Sequence, residues 1–255
     1  MMLLLFKLFA TPLIVGIAGW VSRRWGTAAG GWVAGLPVTT GPISVFLFVE
    51  YGADFSIQAA LGTLYAMPAI AATAAGYRMA VSFGCGWVAS QATAQGCYLA
   101  MVFFLVLFSP DPSLIFLLSM GSIIAGLGFT GSSSRSPLPA FSSNTVLVTR
   151  MAVTTALVLV ITVLAPMLGP MLSGLLGTVL IVAGVLAAAA HREHGSAGGL
   201  AVMRGMMQGQ IAFLAFYFVV WSLLPLLGFA TYLLALAAAG LSGVVVNRWE
   251  QRLRS

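Results

Sequence analysis

Gly30 to Glu50 reads GGWVAGLPVTTGPISVFLFVE. The stretch is apolar enough to lie in a bilayer, yet Gly31, Gly35, Pro37, Gly41 and Pro42 fall within twelve residues. A proline in a helix interior lacks the amide donor and clashes with the preceding turn, at a cost of about 3 kcal/mol. A span built on this stretch therefore breaks near Gly35 to Pro37. The break falls about ten residues from one end, and at ~1.5 Å per residue this is close to the middle of a hydrocarbon layer ~30 Å thick. Pro37 suits the first position of a restarting half-helix, whose free amides and positive dipole end face the protein interior.

The surrounding chain has the same character. Of its 255 residues, 60% are hydrophobic and 6% charged, and the mean hydropathy is +1.06. A water-facing surface needs roughly 25% charged residues, so a soluble enzyme and a nucleic-acid-binding domain are both excluded. The lipid bilayer is the expected solvent. Cys85 and Cys97 lie twelve residues apart, about 18 Å along a helix, and cannot pair with each other. Met1 to Val21 is apolar and precedes Arg23 and Arg24. That order is the reverse of a cleaved signal peptide, so a retained first span is expected.

Runs long enough to cross a bilayer lie at 2–21, 27–49, 56–77, 83–107, 112–129, 147–166, 169–190, 202–223 and 227–246. The fifth is short, and the fourth carries Ser90, Gln91, Thr93 and Gln95, which would suit a re-entrant break. With nine spans, Arg23, Arg24, Arg78, Arg135, Arg150, Arg192, Arg248, Arg252 and Arg254 all fall on one side, while Glu50, Asp54 and Asp111 fall on the other. Lys and Arg mark the cytoplasmic face. The expectation is a multi-pass protein of the bacterial cytoplasmic membrane with its N-terminus outside and its C-terminus inside. Lys7 and Arg204 are left within or beside spans.

The Ser- and Pro-rich segment Thr130 to Thr145 divides the chain near its middle. On either side of it a short pattern repeats. At an offset of 139, Gly30, Ala34, Gly35, Leu36 and Thr39 meet Gly169, Ser173, Gly174, Leu175 and Thr178, and after four extra loop residues Gly62 meets Gly205. The expected all-α organisation is thus a first repeat at 1–108 (spans one to four), a connecting span and linker at 109–146, and a second repeat at 147–255 with a basic tail. The odd connecting span makes the two four-helix repeats inverted, a recurring plan of secondary transporters.

That plan places a candidate binding site between the breaks of spans two and seven. Gly35, Pro37, Thr39, Thr40 and Ser44 come from the first, and Ser173, Gly174, Gly177 and Thr178 from the second. The hydroxyls supply donors at the helix ends, and the glycines leave room for close approach. The same glycines also fit helix packing alone, since Gly26/Gly30, Gly31/Gly35 and Gly205/Gly209 have small-xxx-small spacing. Arg204 and Gln208, one turn apart on span eight, suit an anion in a midplane cavity, although Arg204 is near enough to a span end to snorkel. Gln58, Gln91 and Gln95 suit interhelical hydrogen bonds.

Motifs for other chemistry are missing. There is no zinc-protease, nucleophile-elbow or Walker pattern, and His191/His194 have no third ligand in their loop. No metal, cofactor or enzymatic activity is expected. Gly30 to Glu50, together with Met151 to His194 and its LSGLLGT segment, resembles a family of bacterial multi-pass membrane proteins with two related halves. That resemblance implies a membrane fold and assigns no residue a role. The leading expectation is a secondary transporter or exporter of a small polar or anionic solute, with H+ or Na+ as the coupling ion and a homo-oligomeric state both left open. The alternatives are a membrane scaffold or accessory subunit of an envelope complex, and an enzyme on a lipid-linked substrate.

Overall fold

A computed structural model describes residues 36–37, 40–130, 144–178 and 181–254. Spans 2–21 and most of 27–39, with Gly35 and Thr39, lie outside the described residues, as does the linker 131–143. The described chain is 93% helix with no strands. Its helices are α1 Thr40–Ser82, α2 Trp87–Phe108, α3 Pro112–Thr130, α4 Asn144–Gly177, α5 Ile181–Leu227 and α6 Ala230–Arg254.

Three of these helices turn sharply at a glycine. α1 does so at Gly52 (φ 83°, ψ −176°), α4 at Gly169 (φ 75°, ψ 168°) and α5 at Gly195 (φ 70°, ψ −170°). This corner of backbone space is essentially reserved for glycine. Each kink divides its helix into two arms, 40–51 and 53–82 in α1, and 181–194 and 196–227 in α5. Positive-φ glycines also mark the turns that follow, Gly84 before α2 and Gly228 before α6.

Among the described residues, four helices are long and apolar enough to cross a membrane: Thr40–Ser82, Trp87–Phe108, Pro112–Thr130 and Ala187–Leu227. Shorter apolar stretches occupy Val163–Leu175 and Ala230–Gly243. α1 is central, with 72% of its most apolar stretch buried, whereas α2 is peripheral, with 17%. The outward faces carry Phe103, Phe104, Leu107 and Phe108 on α2, Leu117 and Ile124 on α3, and Leu233 and Leu241 on α6. Ser56, Thr63, Thr73, Ser90, Ser119, Ser173 and Gln210 are buried instead. Large apolar side chains outside and hydroxyls inside reverse the arrangement that water selects, and are compatible with a membrane location.

α2 corrects one expectation. Its polar residues do not break it: the helix runs unbroken from Trp87 to Phe108. Ser90 is instead turned fully inward, and Gln91 lies against Gly184 of α5. Cys85 and Cys97 are both free. The thiol of Cys97 packs on the Cα of Gly76, binding α2 to α1. α3 docks through Ser119, which donates to the Leu64 carbonyl at 3.1 Å, and through Gly126, which receives the end of Met207 from α5.

Candidate functional site

The hydrogen-bond ladder of the short arm of α1 begins where the proline predicts. The Gly41 amide donates to the Pro37 carbonyl at 2.8 Å, so Pro37 stands at the helix start and Thr40 lies in the first turn. The first-turn amides of a helix have no partner within it, and its dipole makes that end positive. Thr40 is buried, 6% exposed, and no hydrogen bond of good geometry reaches its hydroxyl.

Opposite this helix start, the long arm of α1 crosses the end of α4 at backbone contact. A methyl built on Gly174 would stand 1.9 Å from the Ala59 carbonyl oxygen, and one on Gly62 would stand 2.2 Å from that of Met171. Only glycine at both positions permits the approach. The Thr63 hydroxyl spans the crossing, donating to Ala59 O at 3.0 Å and leaning toward Gly174 O at 3.3 Å. Ser173 donates to the Gly169 carbonyl at 2.7 Å, which secures the turn after the α4 kink.

Between these elements lies a narrow cavity with room for about one water molecule. Thr40, Ser44, Thr63, Ser173, Gly174 and Tyr217 are among its lining residues, and none of the lining residues is charged. Of the residues that the sequence places in the site, the structure thus brings together Thr40 and Ser44 from one break and Ser173 and Gly174 from the other. Pro37 sits at the head of the first helix, and Gly177 is the last residue of α4.

The remaining three are placed elsewhere. The Thr178 hydroxyl donates to Leu175 O at 2.6 Å and meets the Tyr98 phenol at 3.0 Å, beside rather than in the cavity. Arg204 and Gln208 lie on the long arm of α5 and are not in the lining. Arg204 donates through Nη1 to the carbonyl of Leu127 at 3.3 Å. Leu127 belongs to the last turn of α3, where the negative dipole end favours a cation. That contact gives the guanidinium a partner at the end of α3.

Sequence reasoning missed the tyrosines. Tyr217, 2% exposed, presents its phenol to the hydroxyls of Thr40 and Thr63. Tyr232 donates to the Ser44 carbonyl at 3.0 Å and meets the Ser44 hydroxyl at 3.2 Å. Its ring packs on Phe48 at 5.8 Å, Phe229 at 5.9 Å and Phe216 at 6.4 Å. Tyr98 donates to Leu175 O at 3.1 Å, a carbonyl in the last turn of α4 that also accepts from Thr178. Tyr77 reaches His191 Nδ1 at 2.9 Å. A usable signal was present: buried phenols require partners, and interrupted helices provide them.

No family model, curated protein or solved structure matches the chain. Among the described residues, no three His, Cys, Asp or Glu side chains come together as a metal site would require.

Proposed function

We propose that the protein is a secondary transporter of a small polar or anionic solute, with its site at the hydroxyl-lined cavity between the head of α1 and the end of α4. The observation that carries this reading is the meeting of Thr40, Ser44, Ser173 and Gly174, two pairs from distant interrupted helices, around one uncharged cavity. Interrupted helices that face each other at mid-depth are the common design of solute sites in transporters. The cavity is too small for more than a water-sized occupant, so loading a larger solute requires the short arm of α1 to move.

An inverted repeat supplies the means of movement, and further parallels support it. Glu50-Tyr51-Gly52 and Glu193-His194-Gly195 stand 143 positions apart, and both glycines turn their helices with nearly the same dihedrals. α2 and α6 begin at Trp87 and Ala230, at the same spacing, each after a positive-φ glycine turn. The short arms are also exchanged: Gly41 of the first half faces Phe216 of the second, and Gly184 of the second faces Gln91 of the first. Each mobile arm then rests on the other half, as alternating access requires. On this reading the chain has nine spans and lies in a bacterial cytoplasmic membrane.

Flux into reconstituted vesicles tests the function. Thr40→Val is expected to reduce uptake of the cognate solute at least tenfold with normal expression, because it keeps the side-chain volume and removes a hydroxyl from the helix head. Unchanged flux in that variant would remove the cavity from the pathway. Topology is tested by labelling introduced cysteines in intact cells. Asp54→Cys is expected to react with an impermeant maleimide and Arg135→Cys only after permeabilisation; the opposite pattern would reject the orientation.

A further inference from the structure

The cavity is the inner end of a longer hydroxyl network. Tyr232, already bonded to Ser44, is flanked by the Ser56 hydroxyl. Ser56 is fully buried, and no hydrogen bond of good geometry reaches its oxygen. It lies in the first turn after the Gly52 kink, at the head of the long arm of α1. Tyr232 lies in the first turn of α6, beside Thr231, another buried hydroxyl without a hydrogen-bond partner. The first turns of the two arms of α1 therefore contribute to one region, and each holds a buried hydroxyl that faces a phenol without a well-aligned hydrogen bond.

Leaving a buried hydroxyl unpaired costs about 1–3 kcal/mol, and native proteins rarely tolerate it without a reason. Two such groups, Thr40 and Ser56, stand at the positive ends of the two arms of α1, where negative charge is stabilised. A cation would meet the wrong dipole ends. A doubly charged anion would be taken out of water with no Lys, Arg or His among the described residues that line the cavity to compensate it. The cavity at the Thr40 and Ser44 end of the network has space for about one water molecule.

We infer that the Thr40, Ser44, Ser56 and Tyr232 cluster is a binding site for a small singly charged anion of halide size. The inference takes the location of the site from the transport reading and narrows its solute, but the binding itself is measured without transport. Ser56 and Tyr232 form the outer part of the site, toward the Gly52 kink, and Thr40 forms the inner part beside Tyr217.

The test is thermal unfolding of the purified full chain in detergent, followed by tryptophan fluorescence, as chloride replaces gluconate at constant ionic strength. A saturable rise in Tm of about 2–4 °C is expected, with sulfate giving none. Ser56→Ala and Thr40→Val are expected to abolish the rise. Each removes a hydroxyl whose polar neighbour is a phenol, Tyr217 for Thr40 and Tyr232 for Ser56, so their Tm in gluconate should stay close to that of the parent. Ser242→Ala, which alters a hydroxyl bonded to Ala239 O on α6, should retain the full response. A response absent from the parent, equal for sulfate, or unchanged in Ser56→Ala would overturn the inference. Flux of a neutral solute without a chloride response would reject the anion and leave transport standing. A chloride response that Ser56→Ala abolishes, with no flux of any solute, would support the anion site and reject the transport reading.

Discussion

Gly174→Ala is expected to leave little correctly folded protein. The added methyl would stand 1.9 Å from Ala59 O, 2.8 Å from Ala59 C and 2.9 Å from Thr63 N. All three are backbone atoms of a central helix, so no rotamer change relieves the overlap and α4 must move away from α1. Overpacking ordinarily costs about 1–3 kcal/mol, and the rigid neighbours place this substitution at the upper end or above. Separation also weakens the lean of Thr63 toward the Gly174 carbonyl. Helices in lipid gain no hydrophobic energy from association and depend on close packing, so other contacts do not offset the loss. Size-exclusion chromatography in detergent should show Gly174→Ala mostly aggregated, and Gly128→Ala, whose methyl meets nothing within 4 Å, like the parent. A monodisperse Gly174→Ala protein with parental Tm would mean that the α1–α4 crossing is looser than described.

The glycine that makes this crossing was visible in the sequence, but its partner was not. Gly62 pairs with Gly205 in the repeat pattern, whereas in space it meets the Met171 backbone. The reason is physical. In a soluble helix the apolar stripe shows which face is buried, but here lipid and protein interior are both apolar, and hydropathy is silent about orientation. Breaks were legible because proline and glycine act locally: the helix head at Pro37 and the interruption after Gly177 both follow from the residues there. Charge marked a candidate whose surroundings the sequence could not show. Arg204 stands out in the sequence as a cation within a span, and in the structure its guanidinium meets the Leu127 carbonyl at the end of α3. The tyrosines were passed over because aromatic residues in spans are expected at the headgroup level, while Tyr77, Tyr98, Tyr217 and Tyr232 are all buried.

Gly52→Ala and Gly195→Ala form a matched pair, and each is expected to lower stability by about 1–3 kcal/mol. Both glycines hold φ near +75° with an extended ψ, a conformation in which an L side chain is strained whatever surrounds it. A methyl at either site meets nothing within 4 Å, so the loss measures backbone strain free of packing. At this chain length each kcal/mol is worth roughly 2–4 °C in Tm. The kinks lie in different halves of the chain, and the double variant should show the sum of the single losses. Equal and additive losses would mean that two positions 143 residues apart require the same residue for the same backbone reason, as duplicated units must. If Gly195→Ala were silent while Gly52→Ala was costly, the second reversal would not be fixed by its backbone, and the kinks would no longer speak for an inverted repeat. Flux separates a further possibility within the pair. A kink that only joins two arms loses stability on substitution and keeps its rate per folded molecule, whereas a kink about which an arm swings loses rate as well. Gly52 stands between Ser44 and Ser56, two residues of the anion cluster on opposite arms of α1, so the larger loss of rate is expected there.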